Sequence, residues 1–222
     1  MKVDVVIVAA GTATRFGAEK LFLDLCGRPV LAWSLAACES AETVGRIVIV
    51  APAQRLALVQ ALADKWCGRK LVAVVGGGAR RRDSVEAGLR ECSSPYVGIH
   101  DGARPLVTAG LIDAVARAAE GKPGAIAAVP LSDSVKSVRD GIVTGHPDRS
   151  RLWAAQTPQV VLRQAWLDAA ATDDEDETDD AAMLSRLGLE CAVVEGDSAN
   201  IKLTRAIDLE VARALLAARS RA

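Results

Sequence analysis

Val3-Asp4-Val5-Val6-Ile7-Val8-Ala9-Ala10-Gly11-Thr12 decides the fold. Apart from Asp4 it is a continuous apolar run rich in β-branched residues, and it stops at a glycine. A strand buried in a parallel sheet reads this way, with the glycine marking where the loop leaves. Working outward, residues 29–38 read as a helix with Pro29 in its first turn. Residues 46–51 read as a strand, Pro52 opens a second helix, and 71–75 form a strand that ends in Gly76-Gly77-Gly78. Residues 83–92 form a helix with Asp83 or Ser84 near its start, and 96–100 form a fourth strand. This unbroken alternation predicts an α/β fold, a mostly parallel twisted sheet with helices on both faces. Ligands of such sheets bind beyond the carboxyl ends of the strands, which here carry Gly11, the glycine triplet and Asp101.

The second half is less regular. Residues 109–119 read as a helix and 125–129 as a strand. The polar segment 131–152 contains Gly141, Gly145 and Pro147, and strands at 135–138 and 142–144 would pair around an Asp140-Gly141 turn. With little apolar surface of its own, this hairpin is expected to project as an arm. Residues 160–170 and 179–187 read as helices, 191–195 as a strand and 206–219 as a closing helix. The expectation is a single domain, 1–222, with 131–152 as an excursion.

Half of the 222 residues are hydrophobic, enough for a large core, and the formal net charge is −1. That balance argues against wholesale nucleic-acid binding, so any anion site must be local. Charges interrupt every apolar stretch short of a membrane span, and the N-terminus shows no signal-peptide pattern. A soluble, cytoplasmic protein is expected. The five cysteines (Cys26, Cys38, Cys67, Cys92 and Cys191) are scattered and odd in number, and are read as small buried hydrophobes.

Several loops carry candidate chemistry. Ala9-Ala10-Gly11-Thr12-Ala13-Thr14-Arg15-Phe16-Gly17-Ala18-Glu19-Lys20 lacks the spacings of a P-loop or a dinucleotide fingerprint. Its backbone amides, Arg15 and Lys20 suit phosphate oxygens; equally, it is a tight turn with two solvated cations. Gly76-Gly77-Gly78-Ala79-Arg80-Arg81-Arg82-Asp83-Ser84 joins glycines that permit close approach to arginines before a helix N-terminus. At least one of those arginines is read as merely solubilising, and Ser84 either reads a base or caps the helix. In His100-Asp101-Gly102-Ala103-Arg104-Pro105, Asp101 suits Mg²⁺, which takes one or two carboxylates plus phosphate oxygens and water. Arg104 either clamps a substrate phosphate or fixes Asp101 in an internal ion pair. His100 and His146 lack metal-type partners. The acidic run 173–180 is read mostly as a solvated turn, with Thr178, Asp179 and Asp180 opening the next helix. Lys202 either reaches back to the pocket or is exposed. No Ser–His–Asp or Cys–His set is discernible.

In order and spacing these segments resemble one family, 2-C-methyl-D-erythritol 4-phosphate cytidylyltransferase, over nearly the whole chain. Besides the loops above, the markers are Asp83-Ser84-Val85, Ala87-Gly88-Leu89, Asp148-Arg149, Thr157-Pro158-Gln159, Thr178-Asp179, Val194-Glu195-Gly196 and Asn200-Ile201-Lys202. The resemblance implies a Rossmann-like, nucleotide-diphospho-sugar transferase-like fold. It implies that Ala10, Gly11, Gly78 and Ser84 surround the nucleoside of CTP, that Asp101 holds Mg²⁺, and that Arg15, Lys20 and Lys202 stabilise the reacting phosphates. Ser134, Arg149, Thr157 and Thr178 would bind the polyol phosphate. In the family the arm bearing Ser134 and Arg149 reaches the neighbouring subunit's site, which implies a homodimer. Ala13, a first loop that is short and lacks the usual proline, Ser134 in place of threonine and Ala79 at an often acidic position depart from the common pattern.

The chemistry suits that reading. A phosphomonoester has a second pKa of about 6, so it attacks as a dianion without a general base. The obstacle is bringing it to a triphosphate, which clustered cations and a metal offset. A ribitol-5-phosphate cytidylyltransferase, a guanylyltransferase of molybdenum-cofactor maturation and a non-catalytic nucleotide-binding regulator are the alternatives.

Overall fold

Side chains along β1 (Val3–Val8) alternate between two cores: Val3, Val5 and Ile7 enter one, and Val6 enters the other. The computed structural model describes residues 1–11, 20–172 and 175–219. After β1 come a short 3₁₀ turn at Lys20–Phe22, the hairpin of β2 (Asp24–Leu25) and β3 (Arg28–Pro29), then α1 (Val30–Ser40). The chain continues through β4 (Val44–Ala51), α2 (Leu56–Trp66), β5 (Leu71–Gly76), α3 (Arg81–Arg90), β6 (Tyr96–Asp101), α4 (Ala109–Ala119) and β7 (Gly124–Pro130). The arm holds β8 (Ser137–Arg139) and β9 (Ile142–Gly145). Then follow β10 (Trp153–Leu162), α5 (Arg163–Thr172), α6 (Asp180–Ser185), β11 (Ala192–Glu195) and α7 (Ala206–Arg219).

Among the described residues the main sheet has seven strands in the order β11-β7-β10-β6-β1-β4-β5. β6, β1, β4 and β5 run parallel, as do β11 and β7. β10 lies antiparallel between β6 and β7 and joins the two blocks. Helices α1, α2, α4 and α7 pack on one face, α3, α5 and α6 on the other. The α/β sheet with helices on both faces is therefore as the alternation implied. Gly88 shows how tightly α3 is seated: a Cβ there would fall 2.4 Å from Val6 Cγ1 and 2.9 Å from Val50 Cγ2. Thr108 caps α4 by accepting the Leu111 N–H at 3.2 Å.

Two expectations need correction. Residues 160–170 are not one helix: β10 runs to Leu162 and α5 begins at Arg163. Proline is rare inside central strands; here the register of β10 against β7 is irregular between Ala155 and Gln159, where the Thr157-Pro158 bond is cis. Cys26 is exposed in the β2–β3 turn at φ 54° rather than buried, while Cys38, Cys67 and Cys92 are buried. No helix among the described residues is long and apolar enough to cross a membrane.

The arm is a separate two-stranded sheet. Val138 pairs with Val143 and Arg139 with Ile142 across the turn at Asp140 and Gly141, both with positive φ. Its base is closed by the Leu131 N–H donating to the Leu152 carbonyl at 3.1 Å.

Candidate active site

The carboxyl ends of β1, β5 and β6 open into one cleft of about 420 Å³. Ala10, Gly11, Lys20, Gly78, Ser84, Asp101 and Lys202 all line it, together with Arg80 and Arg81. A Cβ on Gly77 would lie 2.4 Å from the Ala10 methyl and 2.7 Å from Ser84 Oγ, so the glycine loop and the first loop approach as closely as glycine permits. Ser84 accepts the Gly78 N–H and donates to the Arg80 carbonyl, both at 3.2 Å, which braces the loop from within.

Asp101 is the electrostatic centre. Lys202 Nζ lies 2.6 Å from its Oδ2 and Arg81 Nε 3.6 Å from its Oδ1. Burial alone would push the carboxyl up, but Lys202, Arg81 and the more distant Arg104 outweigh it and hold the group ionised, well below the usual carboxylate range. Lys20 donates to the Leu203 carbonyl at 3.0 Å, beside Lys202. Burial, then the neighbouring Lys202 charge, lower its pKa against the pull of Asp101 and Asp208.

The three arginines have separate tasks, and the expectation that one is merely solubilising does not fit. Arg80 pairs with Asp83 at 2.8 Å, while the Arg80 N–H donates to the same carboxylate at 3.0 Å and closes the start of α3. Arg82 is buried and donates to the carbonyls of Glu175 and Ala170. Arg81 turns to the cleft, where its two Nη groups donate to Asp180 at 3.1 and 2.7 Å. Asp180 and Arg81 were missed as a pair because they are far apart in the chain, and an acidic run reads as solvated.

Arg104 does not line the cleft. It donates to the carbonyls of Asn200 at 2.7 Å and Ala155 at 3.3 Å, tying β10 to the loop that carries Lys202. Thr157 is buried beneath Asp101, accepting its N–H at 3.0 Å and lying 3.1 Å from His100 Nδ1. Neither side chain is part of the cleft lining; both are bonded to groups behind it. Asn200 is fully buried and donates to the Thr157 carbonyl at 2.9 Å, two residues from Lys202. His100 is also fully buried, and that burial lowers its pKa to about 4, so at neutral pH it is uncharged. Thr178 is exposed just before α6. Ser134 and Arg149 are exposed on the arm and line no part of this cleft; Arg149 donates to the Ser132 carbonyl. Arg15 lies outside the described residues.

Among the described residues no group of three or more His, Cys, Asp or Glu side chains could hold a metal ion. Asp101 fits Mg²⁺ as a single protein ligand, because nucleotide phosphates and water fill the remaining positions of such ions. Lys202 occupies the carboxylate edge that the ion would share.

The family model for IspD, 2-C-methyl-D-erythritol 4-phosphate cytidylyltransferase, matches residues 3–218. This chain belongs to that family. The cytidylyltransferase of Prochlorococcus marinus (strain MIT 9313) is 44% identical over 96% of this chain and 98% of its own. That of Synechococcus elongatus is 42% identical over 95% and 94%. A crystal structure of 4-diphosphocytidyl-2C-methyl-D-erythritol synthase from Anaerococcus prevotii superposes with a TM-score of 0.86 at 26% identity, covering 97% of this chain and 96% of that one. The Thermus thermophilus cytidylyltransferase gives 0.79 at 30% identity, over 97% and 98%. Family membership makes the chain a nucleotidyltransferase.

Proposed function

We propose that this chain transfers CMP from CTP to 2-C-methyl-D-erythritol 4-phosphate, yielding 4-diphosphocytidyl-2-C-methyl-D-erythritol and pyrophosphate. The observation that carries the reading is the ring of Lys20, Arg81 and Lys202 around an ionised Asp101 at the strand ends. A dianionic phosphate attacking a triphosphate needs this excess of fixed cations. It needs no base, and His100, the histidine at this strand end, is buried behind the cleft.

Ala10, Gly11, Gly78 and Ser84 would receive the nucleoside. Asp101 would hold Mg²⁺, which when bound neutralises phosphate charge. Arg15, Lys20 and Lys202 would stabilise the phosphates as pyrophosphate departs. Thr178 would face the polyol phosphate, with Thr157 and Arg104 acting through the groups they hold.

The arm supports a homodimer with exchanged arms. Val138, Ile142 and Val143 are 60%, 68% and 50% exposed on a hairpin with no core of its own. An isolated two-stranded hairpin is marginal in water, so packing on a second subunit would order it. Ser134 and Arg149 would then serve the partner's cleft. The five free thiols suit a reducing cytoplasm.

The test is pyrophosphate release from CTP, with Mg²⁺, in the presence and absence of 2-C-methyl-D-erythritol 4-phosphate. Release that requires the polyol phosphate supports the reading. CTP binding without turnover would make the chain a nucleotide-binding regulator.

A further inference from the structure

Asp180 lies 99 residues beyond Arg81 in the chain, yet the two form a two-point ion pair beside the cleft. The Asp180 side chain is 1% exposed and accepts both Nη groups of Arg81. The Trp166 indole N–H donates to its Oδ1 at 3.1 Å, and its own N–H donates to Gln159 Oε1 at 3.0 Å. Carboxylate and backbone are therefore both fixed. With its fork committed to Asp180, Arg81 presents only Nε toward Asp101, at 3.6 Å.

We infer that Asp180 is a positioning residue that keeps the Arg81 fork off Asp101 and balances its charge, leaving the Asp101 carboxylate available to a divalent cation. The inference rests on Asp101 as the metal ligand proposed above. Asp101, Asp180, Arg81 and Lys202 carry two negative and two positive charges in contact. Removing the Asp180 charge leaves this cluster net positive. It also frees a planar two-point donor that matches a carboxylate. Both changes oppose a cation at Asp101.

Destabilisation alone would not identify this role, because breaking any buried ion pair destabilises a fold. The experiment therefore reads metal. Asp180→Asn, Arg81→Gln and the double variant are compared by the Mg²⁺ concentration for half-maximal turnover. Mn²⁺ binding to the proteins with CTP present, followed by the bound-ion EPR signal against a protein-free CTP control, provides a second reading. Asp180→Asn should raise the Mg²⁺ requirement and weaken Mn²⁺ binding by roughly tenfold, the order expected of one added charge close by. In the Arg81→Gln background the same change should move both by less than about twofold, since the group through which Asp180 acts is gone. Equal shifts in the two backgrounds, or a wild-type metal requirement in Asp180→Asn, overturn the inference. Should Asp180→Asn fail to fold, Arg81→Lys serves instead: Asp180 still balances its charge and no fork is left to grip Asp101, so the Mg²⁺ requirement should stay within about twofold of the wild type, and a tenfold rise is contradictory. Asp101→Asn separates the two claims. If it leaves the metal dependence untouched, the metal reading fails; if it shifts that dependence and the Asp180 variants do not, only this inference fails.

Discussion

Lys202 Nζ lies 2.6 Å from Asp101 Oδ2, so the cleft pairs its carboxylate with a cation of its own. The next residue, Leu203, offers its carbonyl to Lys20 at 3.0 Å. One short segment after β11 thus couples the end of the first loop to the end of β6.

Lys20 faces charge that grows as pyrophosphate leaves, so it should serve the transition state more than CTP binding. Lys20→Ala should lower kcat by roughly 10²-fold or more, with a smaller change in KM for CTP. Because burial and Lys202 depress its pKa, the Lys20 cation is lost at lower pH than an ordinary lysine's. The alkaline limb of the rate profile should accordingly move to higher pH in Lys20→Arg. Steady-state kinetics across pH check both points; near-normal kcat in Lys20→Ala rules the role out.

Asp101→Asn keeps the shape of the side chain and removes its charge. Activity should require much more Mg²⁺ while the fold persists by circular dichroism. A magnesium titration matching the wild type would make Asp101 a structural residue.

His100 is buried and neutral, with a pKa of about 4. The unfolded chain takes up the proton near pH 6.5, whereas the folded chain resists it until about pH 4, so stability falls as pH drops through that window. By pH 5 the loss from this residue should reach roughly 2 kcal/mol relative to pH 7. Urea unfolding at both pH values should show that extra loss in the wild type and not in His100→Asn. Equal losses in both proteins would contradict it.

Arg149 suits a phosphate because its planar fork makes two hydrogen bonds that lysine cannot reproduce. Arg149→Lys should raise KM for the polyol phosphate and leave KM for CTP nearly unchanged. Mixing inactive Lys20→Ala with inactive Arg149→Ala should restore part of the activity. In a mixed dimer with exchanged arms, one site carries both lesions and the other neither. No recovery in a mixture shown to exchange subunits would mean that each chain completes its own site.

The sheet was legible because β1, β4 and β6 are largely apolar runs closed by Gly11, Pro52 and Asp101, and α4 and α7 match their expected bounds to the residue. β10 was not, because a short apolar run does not distinguish strand from helix. The cleft residues Lys20, Asp101 and Lys202 were legible from their places at strand ends. Arg104 was singled out from its loop and Thr157 through the family resemblance, but their places behind Asp101 depend on β10 lying next to β6. The Arg81–Asp180 pair depends on α6 packing near α3, a long-range fact that no local pattern records.

The central claim is the identity of the acceptor. The most direct test is kcat/KM for 2-C-methyl-D-erythritol 4-phosphate against ribitol 5-phosphate, with saturating CTP and Mg²⁺ and the product identified by ³¹P NMR. A diphosphodiester formed with strong preference for the methylerythritol phosphate is the expected result. Equal or greater efficiency with ribitol 5-phosphate would contradict it.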